Sequence, residues 1–173
     1  MEEGREQGKD PAISVVIPCF RAGELLSEAI ESVLAQTETD WELILVDNNA
    51  SEETRAVIRR YVERYPEKVR SVLEPEQGLS SARNRGILEA FGKYIALLDD
   101  DDMMYPKRLA LQKEVLEKDS DAALCYGKID RVTYDNTAVV ETGPWDSDFP
   151  FFRKSGRLLS TRGVCLNFPE PRP

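Results

Sequence analysis

No histidine occurs among the 173 residues of this chain. That absence excludes a Ser-His-Asp or Cys-His nucleophilic site, a His-ligated zinc and an imidazole general base. Acid/base or metal chemistry must therefore run on carboxylates. Cysteine is scarce too: Cys19, Cys125 and Cys165 are odd in number and far apart, with no C-x-x-C, as expected of reduced thiols in a cytoplasmic protein. Basic residues are in deficit, 23 Lys+Arg against 32 Asp+Glu. The resulting net charge of -9 and pI near 4.7 argue against nucleic acid as a partner. No apolar run reaches 18 residues, and the first ten residues are polar with charges spread along them. The expectation is a chain without a membrane span or signal peptide, cytoplasmic and at most peripheral to a membrane. What remains is 41% hydrophobic and 32% charged, an ordinary globular composition.

Along the chain, short β-branched or aliphatic runs alternate with helix-periodic stretches. Residues 13–17, 41–46, 69–73, 94–98 and 122–126 read as strands, mostly buried on both faces. Residues 24–36, 51–64, 80–90 and a stretch from Pro106 through 116 read as helices. Pro106 is placed at a first helical position, and Ser51 with Thr54 is placed at a helix start. Residues 128–134 and 137–141 look like a hairpin, and from Gly143 onward no element is expected. Strand and helix alternate four times, so the fold class is α/β, a Rossmann-like doubly wound and mainly parallel sheet with flanking helices. The expected division is a loose segment over 1–11, a single domain over 12–143 and an irregular tail over 144–173.

In open α/β sheets ligands sit beyond the carboxyl ends of the strands. Three strands end in distinctive residues there: Pro18-Cys19-Phe20-Arg21, Asp47-Asn48-Asn49 and Asp99-Asp100-Asp101-Asp102. Adjacent carboxylates repel and raise each other's pKa unless a cation compensates. A hard divalent ion, Mg²⁺ or Mn²⁺, shared with diphosphate oxygens would do so. A charge run alone more often means a solvated loop, but one placed directly after a buried strand favours the ion. Asp47 and Asn48 could hold a base or ribose edge, or merely build a turn. Phe20 could stack on a base or sit in the core. Arg83 and Arg85, after Gly78, could meet a diphosphate or form surface ion pairs.

The stretches 13–21, 32–37, 41–51, 78–87 and 92–102, with Pro106 following, occur in the order and spacing of a known family. The chain resembles the family 2 inverting glycosyltransferases of GT-A fold, over roughly residues 13–126. The resemblance implies a nucleoside-diphosphate sugar donor, usually with uracil as the base, and an acceptor hydroxyl on a polysaccharide, lipid-linked or protein glycan. It implies that Pro18 and Phe20 line the base pocket, Asp47 and Asn48 hold the base, and Arg83 lies near the diphosphate. Asp99, Asp100 and Asp101 form the D-x-D element, with Asp100 near the ribose and diphosphate and Asp101 as the Mn²⁺ or Mg²⁺ ligand. Phe20 stands where a tyrosine is usual, Asn48 where an aspartate is frequent, and Arg21 where an asparagine is usual. The family's catalytic base lies well beyond the D-x-D, and no residue here is assigned to that role. Asp146 and Asp148 lack a supporting context. The expectation is the donor-binding part of a GT-A enzyme, truncated on its C-terminal side. Two rival readings are a nucleotide-sugar-binding module without turnover and a Mg²⁺-binding receiver-type phosphoacceptor.

Overall fold

The computed structural model describes residues 10–119, 121–127, 130–132, 139–142 and 164–167. In chain order the elements are β1 (Ile13–Cys19), α1 (Leu25–Leu34), β2 (Trp41–Asp47), α2 (Glu52–Arg64), β3 (Val69–Leu73), α3 (Leu79–Glu89), β4 (Tyr94–Leu97), α4 (Arg108–Lys118) and β5 (Leu124–Tyr126), followed by the short strands β6 (Asp130–Val132), β7 (Val139–Thr142) and β8 (Val164–Asn167). Six strands form one sheet in the order β3-β2-β1-β4-β8-β5, and β6 pairs with β7 separately. The pairs among β3, β2, β1 and β4 are parallel, whereas β8 runs antiparallel to both β4 and β5.

β1 is buried along its whole length because both faces of the sheet are covered. Its alternation divides the core: Ile13, Val15 and Ile17 pack with Leu26, Ile30, Val57, Ile58 and Leu109, on the face of α1, α2 and α4. Val16 packs on the other face with Ile44, Val46, Ala82 and Leu97, under α3. α3 comes so close to the sheet that a Cβ on Gly86 would fall 2.2 Å from Val16 Cγ1 and 3.1 Å from Val46 Cγ2. Inside an exposed helix, Gly→Ala would stabilise by about 1 kcal/mol. Gly86→Ala is expected to destabilise instead, by about 1–3 kcal/mol from overpacking, read as a lower urea midpoint with an unchanged slope.

Pro18 lies inside β1 rather than closing it. β1 and β4 are in register only through Val16, whose carbonyl accepts the Leu98 N–H at 3.1 Å. The ring nitrogen two residues on faces the side where β4 has already ended, so no ladder bond is lost. Ser51 caps α2, its side chain accepting from the Thr54 N–H. Pro106 falls short of its expected place: α4 begins at Arg108, and the Pro106 carbonyl instead accepts the Thr37 N–H at 2.8 Å. The tail also differs from expectation, since Val164–Asn167 enters the main sheet between β4 and β5, so the sheet draws on residues from both sides of position 143. Asp146, Asp148 and the proline-rich end lie outside the described residues. Among the described residues no helix is long and apolar enough to cross a membrane.

At the amino ends of the strands sits an ionic knot. Glu42, 2% exposed, accepts from Ser14 Oγ (2.7 Å), the Phe91 N–H (2.8 Å) and Arg70 Nε (3.1 Å). Arg70 also donates to the Glu89 carbonyl, and its guanidinium lies 5.2 Å from the Phe91 ring centroid.

Candidate functional site

The carboxyl edge of the sheet brings together the ends of β1, β2 and β4 and the start of α3. Direct contacts join them. The Phe20 N–H donates to Asp100 Oδ2 at 2.8 Å, which ties the loop after β1 to the Asp run after β4. Arg83 Nη2 lies 2.5 Å from Asp99 Oδ1, with both side chains under a fifth exposed. The Nε of Arg83 is buried and has no partner among the described residues. Gly78, at φ 154°, turns the chain into α3 in a conformation that L side chains rarely adopt, and it caps the helix without a side chain.

The four aspartates are not equivalent. Burial raises the Asp100 pKa first, and the charges of Asp101 and Asp99 add to it, while the Phe20 N–H works in the opposite direction. Asp99 is engaged by Arg83. Asp101 is exposed, and no partner for its carboxylate is seen among the described residues. Beneath them the Cys19 thiol is fully buried; desolvation and the nearby Asp100 and Asp47 charges push its pKa well up, so it is a packing group and not a nucleophile.

Asp47 ends β2 partly exposed, its carboxylate held by Arg55: Nε to Oδ2 at 2.8 Å and Nη2 to Oδ1 at 3.4 Å. Oδ1 also accepts the Ala50 N–H at 2.8 Å. A cavity of about 330 Å³ borders Asp47 on its α2 side, lined by Arg55, Ile58, Arg59 and residues of β3.

Asn48 is engaged within the protein. It is 3% exposed. Its amide donates to the carbonyls of Glu74 (2.9 Å) and Glu76 (2.6 Å), and its Oδ1 accepts the Gly78 N–H at 2.8 Å and a longer bond from Gln77. The side chain holds the loop from β3 to α3. Pro18 is likewise buried, in β1. Phe20 is not core: it is 38% exposed at the edge, with the Arg21 guanidinium 4.8 Å from its ring centroid. Arg85 pairs with Glu89 at 2.7 Å along α3, a helix-face ion pair.

Among the described residues no three His, Cys, Asp or Glu side chains gather into a metal-binding cluster. The donors present still suit a hard divalent ion of the kind that takes one or two carboxylates and completes its shell with substrate oxygens and water. Sequence reasoning missed Arg55, Gln36 and Ser32. Arg55 leaves no trace in a helical pattern. Gln36 and Ser32 sit inside a quoted stretch, but only their buried contacts show what they do.

A family model described as Glycosyl transferase family 2 matches residues 14–166. The uncharacterized glycosyltransferase YibD of Escherichia coli K12 is 39% identical over 114 residues, covering 65% of this chain and 33% of YibD. The uncharacterized glycosyltransferase alr2836 of Nostoc sp. PCC 7120 is 38% identical over 105 residues, 61% of this chain and 33% of the relative. In structure, the mannosyltransferase PcManGT of Pyrobaculum calidifontis, solved with GDP-Man and Mn²⁺, superposes with a TM-score of 0.63 at 23% identity, over 71% of this chain and 36% of that one. S. aureus TarS 1–349, solved with UDP, gives 0.58 at 18% identity, over 64% and 33%. These structural likenesses bear on the fold, which is GT-A. The chain spans about a third of the length of each of these relatives.

Proposed function

Because the chain belongs to glycosyl transferase family 2, we propose that its carboxyl edge binds a nucleoside-diphosphate sugar, most simply a UDP-sugar, for transfer with inversion to an acceptor hydroxyl. One observation carries the reading: the ends of β1, β2 and β4 and the first turns of α3 put Phe20, Asp47, Asp101 and Arg83 on a single edge, where Phe20–Asp100 and Arg83–Asp99 contacts are made. The exposed ring of Phe20 offers a face for the base. Asp47, paired with Arg55, offers acceptor oxygens to a base N–H. Asn48 supports this side of the edge by holding the loop over 74–78.

Arg83 carries the diphosphate side. Its guanidinium rests on Asp99 and its Nε is unpartnered, so it can turn donors toward a diphosphate that arrives at the start of α3, where the helix dipole also favours negative charge. Asp101, with Asp100 beside it, would hold Mn²⁺ or Mg²⁺ there. Such an ion stabilises charge on the departing nucleoside diphosphate. A second reading is donor binding without turnover, since each role proposed at this edge falls on the donor side.

Calorimetry with UDP, GDP and dTDP, each with and without Mn²⁺ or Mg²⁺, tests the reading. At least one nucleotide is expected to bind more tightly with the ion and to be released by a chelator. Absence of metal-dependent binding for all three sinks the proposal, and sugar transfer or hydrolysis assays then separate transfer from binding alone.

A further inference from the structure

The chain leaving the Asp run is fastened to the end of α1, and one buried side chain makes most of the fastening. Gln36 is 6% exposed and lies two residues beyond α1. Its Nε2 donates to the Ser32 carbonyl at 3.0 Å and to the Tyr105 carbonyl at 2.8 Å, and its Oε1 accepts the Leu109 N–H at 3.0 Å. Both neighbours in the motif add to it. Ser32 Oγ accepts the Met104 N–H at 3.0 Å, and the Thr37 N–H donates to the Pro106 carbonyl at 2.8 Å. Residues 104, 105, 106 and 109 are thus all tied to the last turn of α1 and the three residues after it.

The run is anchored at its other end as well. The Leu98 N–H is on the Val16 carbonyl, Asp99 is on Arg83, and Asp100 accepts from Phe20. Asp101 lies between these two anchorages. An apolar side chain could fill the space beneath Met104 and Leu109. A fully buried amide is desolvated and is tolerated only when its partners are held in place, so it fixes the orientation of the peptide groups it meets. α1 follows directly from the loop that carries Phe20. Gln36 therefore sets the spacing between the base side of the edge and the Asp run.

We infer that Gln36 is a positioning residue of the donor site, holding the 102–105 peptide so that Asp101 can meet a metal ion and a diphosphate together; this rests on the donor-binding reading above. The side chain touches neither ion nor nucleotide, so its effect is confined to the metal-dependent part of binding.

The test uses Gln36→Met, similar in volume but without the hydrogen bonds, beside Ser32→Ala, which removes only the Met104 tie. UDP affinity is measured by calorimetry with and without Mn²⁺, and amide exchange is followed at Met104 and Leu109, all at a temperature where circular dichroism shows full folding. Gln36→Met is expected to lose about tenfold of the Mn²⁺-dependent gain in affinity while metal-free affinity stays within twofold, and to speed exchange at those two amides. Ser32→Ala should shift in the same direction by less. A folded Gln36→Met with the wild-type Mn²⁺ gain overturns the inference. Equal losses with and without the ion overturn it too, since they mark a general loosening. If the wild type shows no Mn²⁺ gain at all, the donor-site reading falls and this inference goes with it.

Discussion

Asp101→Asn is expected to leave the melting temperature of the chain unchanged and to remove metal-dependent nucleotide affinity by about 100-fold, equivalent to some 2.7 kcal/mol. The two halves of that expectation have separate causes. Asp101 is exposed, and among the described residues its carboxylate has no partner, so the fold loses no contact. Exposed substitutions of this kind usually stay within about 0.5 kcal/mol, and removing one charge from beside Asp100 eases the repulsion there. The affinity half follows from ligand chemistry. An amide oxygen is a far poorer donor to a divalent ion than a carboxylate, and diphosphate bound without the ion has only Arg83 and the start of α3 to meet it. Paired titrations with and without Mn²⁺ check it. An Asp101→Asn chain that keeps the full Mn²⁺ gain removes Asp101 from the metal site.

The second large effect concerns stability. Arg70→Met is expected to cost about 3–5 kcal/mol, because it leaves the Glu42 carboxylate buried without its counter-charge. Glu42→Gln should cost less, about 1–2 kcal/mol. Its amide oxygen still accepts from Ser14 and Phe91, and Arg70, a quarter exposed, can turn to water and to Glu89. The double variant should be less damaged than Arg70→Met alone, since no unpaired charge remains in it. Urea unfolding of the three chains closes the cycle. Equal costs for the two single variants would show that the knot contributes packing and not charge balance.

Much of the architecture was legible because the strands β1, β2 and β4 are buried on both faces and so read as unbroken apolar runs, while α1 and α2 carry clear apolar stripes. The convergence of the loops carrying Phe20, Asp47 and the Asp run followed from the carboxyl-edge rule, whereas Arg83 rested on the resemblance. What escaped depends on partners distant in sequence. β8 is four residues whose strand character comes from lying between β4 and β5, and nothing local announces it. Asn48 read as either a ligand group or a turn residue, and its bonds to the carbonyls of Glu74 and Glu76 come from residues distant in sequence. Gly86 was readable in principle: a glycine inside a helix costs stability, so its presence already implies a close approach.

The place of β8 in the sheet also orders events during synthesis. β3, β2, β1 and β4 are complete once Leu97 has left the ribosome, and the Asp run and its anchors follow within a dozen residues. Among the described residues, the strand partner of β5 is Val164–Asn167, which bridges it to β4. At about 5–20 residues per second, the nascent chain spends several seconds with the carboxyl edge of β1, β2 and β4 assembled and the β4 side of its sheet unpaired. That interval is the stretch of the protein's life in which an open strand edge is most exposed to other chains.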